Sequence, residues 1–189
     1  AALQELLNAV ESEPWVFGFA PLLRRIEAIA AGTPGFGISS RASEDPVRFG
    51  QPPSLAFATT TIEGVERSRE GTPRVDVNFL GMLGPHGPLP LHLTEYAGDR
   101  VRHAKDATFV RFLDLFNNRM VGLFYRTWAA SQMPCNFDRW EAPPAGADAV
   151  ERRMHLARDR DRYALYIGSL FGLGMESMRH RDAVPDLAK

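Results

Sequence analysis

The chain has 189 residues, 44% of them hydrophobic, with 22 Lys plus Arg against 23 Asp plus Glu and a single cysteine. This suits one domain, or one domain with an irregular extension, and a net charge of −1 gives no field that would recruit nucleic acid or an anionic membrane surface. The lone Cys135 excludes an internal disulfide and a multi-cysteine metal cluster and fits a reducing compartment, while no apolar run reaches the roughly 20 residues that cross a bilayer.

Leu3 to Val10 fit a short helix that must end before Pro14. Leu22, Leu23, Ile26 and Ile29 recur at helical spacing after Pro21, with Gly32 placed to stop that helix in the left-handed conformation. Trp15, Phe17 and Phe19 read as core closing over this helix pair. Thr33 to Pro53 looks like connection, with a short strand candidate at Val47 to Phe49. Strands are predicted over Leu55 to Thr60 and Ile62 to Arg67, followed by a hairpin turn in REGTPRV. The clearest strand comes next: Val75, Val77 and Phe79 alternate with Asp76, Asn78 and Leu80. The sheet is expected to be small and antiparallel.

Beyond the loop, Thr94 is placed to cap a helix reaching about Ala104, and Asp106 to cap the next. That second helix carries the strongest periodicity in the chain. Phe109, Phe112, Leu113, Phe116, Met120, Leu123, Phe124 and Trp128 keep the three-and-four spacing over about 24 residues, or roughly 36 Å. At about 1.5 to 3 kcal/mol per large side chain, the stripe represents on the order of 10 kcal/mol of burial drive, more than a small sheet can absorb. Arg111, Asp114, Asn117, Asn118 and Arg126 fall off it and read as a solvated or interfacial face. RWEAPPAGADAVERR reads as linker, and a last helix is predicted from about Ala149 to Phe171, charged first and apolar later. The fold class is therefore α+β, a small antiparallel sheet with long amphipathic helices, partly extended. Three segments follow: helical 1–32, a β region with its connector loop at 33–91, and helical 92–189. The opening AALQELL, without an initiator Met, and the closing RHRDAVPDLAK are expected to bound a fragment of a longer subunit.

The loop in VDVNFLGMLGPHGPLPLHLTEY invites three chemical readings. Gly81, Gly84 and Gly87 could cradle an anion, but no Walker or Rossmann pattern is present, and Pro85, Pro88 and Pro90 remove donors. His86, His92, Glu95 and His103 make a metal-dependent hydrolase the alternative reading, although the HExxH arrangement is absent. A small-molecule module using the loop and Trp15 is the third. No nucleophile elbow or carboxylate pair stands out, so neither a catalytic residue nor a cofactor is assigned. What remains is an aromatic helix too large for its sheet and a proline-stiffened loop, which favours an assembly surface. The candidate contact residues are Asn78, Phe79, Gly81, Gly84, Pro85, Gly87 and Pro90 in the connector, with Phe109, Phe112, Phe116, Leu123, Phe124 and Trp128 on the helix.

VRFGQPPSLAF, VDVNFLGMLGPHGPLPLHLTEY, FLDLFNNRMVGLFYRTW and YIGSLFGLGMESMRHR, in this order, resemble stretches of the TssG (ImpH, VasB) family of the bacterial type VI secretion system, a contractile injection machine. FGFAPLLRRIEAI is similar to that family's early helix, with Gly18 and Ala20 departing from the usual pattern. The resemblance implies a noncatalytic baseplate subunit that forms a wedge with two copies of TssF, engages TssK and neighbours other baseplate subunits such as TssE. It also implies a location in the bacterial cytoplasm, with the baseplate docked at the inner-membrane complex and no direct membrane insertion.

Overall fold

In a computed structural model, residues 2–30, 33, 35–39, 41–67, 72–141, 162–170 and 172 are described. Packing divides the chain into two compact units, Ala1–Trp128 and Ala129–Lys189.

The first unit begins with α1 (Ala2–Ser12), a 3-10 turn (Pro14–Val16) and α2 (Phe19–Ile29). Their apolar positions fall on one face, so Leu7, Val10, Leu22, Leu23 and Ile26 are buried together. Phe19 is core as expected and Phe17 half-buried, but Trp15 is 65% exposed, because Pro14 starts a turn that swings it outward. Gly32 lies outside the described residues.

Three strands follow, β1 (Arg48–Gly50), β2 (Ile62–Glu66) and β3 (Arg74–Val77), in the order β1-β3-β2. The strand with the cleanest alternation is thus the central one, with Val75 and Val77 facing the core. β2 and β3 pair antiparallel, as a hairpin requires, with an irregularity between Ile62 and Gly64; the turn residues 68–71 lie outside the described residues. β1 runs parallel to β3, Arg48 opposite Arg74 and Gly50 opposite Asp76, so the sheet is mixed rather than wholly antiparallel. The α+β class stands. Leu55 to Thr60, expected to be a strand, is irregular: the sheet is already three strands wide, and this stretch leads away from β1 with Leu55 and Phe57 exposed.

α3 (Leu91–His103) and α4 (Thr108–Ala130) complete the unit. Pro90 sits before the first turn of α3, and Arg100, Arg102 and His103 favour its negative end. Thr94 is therefore inside the helix, not its cap. Lys105, at φ 54°, turns the chain, and Asp106 caps α4 as the sequence suggested, its Oδ1 accepting from Thr108 N at 2.9 Å. An aromatic cluster of Phe19, Phe36, Phe49 and Tyr125 fills the core between α2, the sheet and α4, with Phe19–Phe49 centroids 6.2 Å apart and Phe36–Tyr125 5.8 Å apart. Leu83, Ala97, Val110 and Leu113 form a second cluster under the loop.

In the second unit, α5 (Met133–Glu141) and α6 (Arg162–Leu170) are described. α5 was not anticipated, and it extends into residues read as linker. The rest of that linker, residues 142–153, lies outside the described residues, as do the predicted start of the last helix at Ala149 and its end at Phe171.

Candidate functional site

The candidate contact residues occupy the connector loop and one side of α4. The loop is closed upon itself by Gln51, just after β1. The Gln51 side chain donates from Nε2 to Leu83 O at 2.7 Å and accepts from Leu83 N at 2.8 Å, so one buried amide pairs with both sides of one residue as a neighbouring strand would. Gly81 makes room for it: a Cβ there would sit 2.2 Å from Gln51 Oε1. Gly84, at φ +88°, occupies the left-handed region, and its N–H donates to Thr94 Oγ1 at 3.0 Å, which accounts for the buried threonine. Leu89 N reaches Met82 O at 3.3 Å and Gly87 N reaches Gly84 O at 3.1 Å. The amides of Leu83, Gly84, Gly87 and Leu89 are thus spent internally rather than offered to an anion. Gln51 was missed in the sequence, where only the glycine spacing hinted that something must lie close to the loop.

Of the other connector positions, Asn78 donates from Nδ2 to Glu63 Oε2 at 2.9 Å, and the Phe79 ring packs 4.7 Å from Phe19 and 5.5 Å from Phe124. Pro85 is half-buried and Pro90 exposed. His86 meets Phe57 edge-on at 5.5 Å, and His92, Glu95 and His103 are exposed along α3. Among the described residues no three His, Cys, Asp or Glu side chains group so as to hold a metal ion, which leaves the hydrolase reading without a site.

α4 buries Val110, Leu113, Asp114, Asn117, Val121 and Tyr125. This face is rotated away from the aromatic stripe, and it overturns the solvated reading of Asp114 and Asn117. The reason is the sheet edge. Among the described residues β1 has no strand beyond it, and its outward N–H groups are met by the helix: Phe49 N donates to Asn118 Oδ1 at 2.8 Å and Gln51 N to Asp114 Oδ1 at 3.1 Å, two acceptors one helical turn apart. Asp114 Oδ2 also takes Arg74 Nη1 at 2.6 Å, and Arg74 Nη2 lies 2.5 Å from Asp76 Oδ1. Arg111 pairs with Glu66 at 2.6 Å. Burial would lower the Arg74 pKa, but the Asp76 and Asp114 carboxylates outweigh it and hold the guanidinium charged. Burial pushes the Asp76 carboxyl up, against the pull of Arg74. Asn117 is 1% exposed, and among the described residues neither atom of its amide has a hydrogen-bond partner.

The opposite side of α4 is open. Phe112 is 54%, Leu115 64% and Phe116 50% exposed, Met120 and Leu123 are also exposed, and the Phe112 and Phe116 rings meet edge-on at 5.5 Å. Phe109 is half-buried beside Tyr96 at 6.1 Å, Phe124 leans on Phe19 and Phe79, and Trp128 lies 5.8 Å from Tyr125. The stripe thus divides between residues that pack internally and residues that do not. A turn at residues 35–39 lies beside this face: a Cβ on Gly37 would fall 2.6 Å from Gly122 O, and Arg119 and Arg126 donate to Ser39 O at 3.1 Å and Gly37 O at 3.3 Å. Among the described residues no helix is long and apolar enough to cross a membrane.

Neither the curated proteins nor the solved structures contain a match to this chain. The family model described as "Type VI secretion, TssG" matches residues 13–189, nearly the whole chain, and takes in the loop, α4 and the glycine-punctuated stretch alike. The chain therefore belongs to the TssG family of type VI secretion.

Proposed function

We propose that the chain is a noncatalytic scaffold of the type VI secretion baseplate. It joins two copies of TssF in a wedge and contacts TssK and neighbouring subunits such as TssE, in the bacterial cytoplasm with the baseplate docked at the inner-membrane complex. The observation that carries this reading is the open side of α4: Phe112, Leu115 and Phe116 are half or more exposed on a helix whose other side is buried. Apolar side chains clustered in this way, rather than scattered singly, mark an interaction surface. Phe112, Phe116 and Leu123 are the contact residues, with Phe109, Phe124 and Trp128 supporting them from the half-packed edge. Asn78, Phe79, Gly81, Gly84, Pro85, Gly87 and Pro90 form a stiff connector that holds α3 to the sheet.

The test is co-purification with TssF. Phe116→Asp places a charge on the exposed side and leaves the described core contacts intact, so the protein stays folded while recovery of the complex collapses. Full recovery with the substituted protein removes the proposal. Phe124→Asp is a weaker probe, because that ring also packs against Phe19 and Phe79.

A further inference from the structure

The open side of α4 has a charge pattern as well as an apolar one. Across Thr108–Ala130 the only acidic residue is Asp114, and it is buried on the opposite side. The cations Arg119 and Arg126 are exposed, and they alternate along the helix with Leu115, Phe112 and Leu123. Each guanidinium donates to one main-chain carbonyl of the 35–39 turn, which fixes its position, and among the described residues neither lies within ion-pair distance of a carboxylate. An arginine carries five donors in a rigid fork, so most of each fork is left for another acceptor. The two positions are seven residues apart, about 10.5 Å along the axis at 1.5 Å per residue. Beside Arg119, a shallow cleft lined by Phe36, Ser39, Asp45, Leu115 and Gly122 opens next to the apolar ridge. Its one carboxylate, Asp45, accepts from the Ser39 hydroxyl at 2.6 Å.

Resting on the proposed role of α4 as the subunit contact, we infer that the occupant of this face is an amphipathic helix of the partner. Its apolar side covers Phe112, Leu115, Phe116 and Leu123, and its flank carries carboxylates about one heptad apart for Arg119 and Arg126. Charge complementarity favours this partner over a second copy of the chain, because two such faces would bring arginines together. A partner helix of three turns or more covers the length from Phe112 to Leu123, roughly 17 Å.

The experiment uses the full chain in complex with TssF. Arg119→Glu together with Arg126→Glu is compared with Phe116→Asp, each checked for folding by thermal melt, and affinity is measured from low to high salt. The expected result is a loss of more than tenfold for the double charge reversal and a wild-type affinity that falls with salt. A loss of threefold or less, with Phe116→Asp still abolishing binding, overturns the acidic helix while sparing the contact surface. If Phe116→Asp is also silent, the contact surface itself fails. Should the double variant not fold, the salt dependence of the wild-type complex decides, and a flat profile counts against the inference. A photoreactive side chain at Leu115 gives the second readout. A cross-linked partner peptide with acidic residues at helical spacing supports the proposal, whereas a basic peptide, or one from another copy of this chain, sinks it.

Discussion

The two sides of α4 are built on opposite rules. The side turned into the protein carries Asp114, Asn117 and Asn118 among modest apolar residues, while the side turned outward carries Phe112, Leu115, Phe116 and Leu123. Greasiness alone would have turned the helix the other way. What orients it is the bare edge of β1: an unpaired strand buries N–H groups that must be met, and leaving each unmet costs about 1 to 3 kcal/mol. Two polar acceptors one turn apart meet that demand, and the aromatics, which have no such obligation, are left outside. The buried side of a helix is chosen by the demands of its neighbour as well as by its own hydrophobicity.

The comparison can be broken most severely from the inside. Asp114→Ala strips Gln51 N of its acceptor and Arg74 of one partner, and should cost about 2 to 4 kcal/mol in urea unfolding. Gly81→Ala drives a methyl into the Gln51 amide and should cost about 2 kcal/mol. In a double-mutant cycle with Gln51→Ala the two losses should be clearly less than additive, since removing the amide removes the clash. Asn117→Leu has the opposite sign: replacing an amide with no partner by a side chain of similar branching should raise stability by about 1 kcal/mol, and a marked drop would reveal a partner for that amide, such as a buried water. From the outside, Phe116→Asp should change the unfolding free energy by about 0.5 kcal/mol or less. A large destabilisation there would erase the distinction between the two sides.

The smallest effect is a pH signature at the helix start. Hydrogen bonds from Thr108 and the Arg100 guanidinium hold the Asp106 carboxyl well below the usual carboxylate range. Its folded pKa is depressed, so its contribution is present above the ordinary value of 3.8 and disappears as pH falls through the folded one. Amide exchange in the first turn of α4 should therefore quicken in strong acid, and Asp106→Asn should remove most of that dependence. Asp76 behaves in reverse, because burial raises it: its contribution is present below 3.8 and lost as pH rises through the folded value.

Local signals in the sequence anticipated the helices up to α4, the β2–β3 hairpin and the strand at Val75–Val77 with its alternating burial. Each rests on periodicity, proline position or a cap, which short stretches of chain carry by themselves. Three features depended on partners distant in sequence. The parallel pairing of β1 is determined by which edge of β3 is free, and a three-residue strand has no alternation long enough to declare it. The Gln51 clamp joins residues 32 apart, and the only local trace of it is a glycine at 81 with no room for a side chain. The rotation of α4 was misjudged because Asp114 and Asn118 look solvated until the strand they serve is in place. α5 was overlooked because Pro134 and the nearby linker composition concealed a helix that starts with a proline in its first turn.

Gln51 has a mechanical consequence. Its backbone N–H is anchored to α4 and its side chain to the main chain of the loop, while the loop in turn holds Thr94 of α3. A tug on the loop tip near His86 therefore reaches strand and helix together, with little slack to take up first. The glycine-rich stretch thus acts as a taut tie rod between the strand edge and α3.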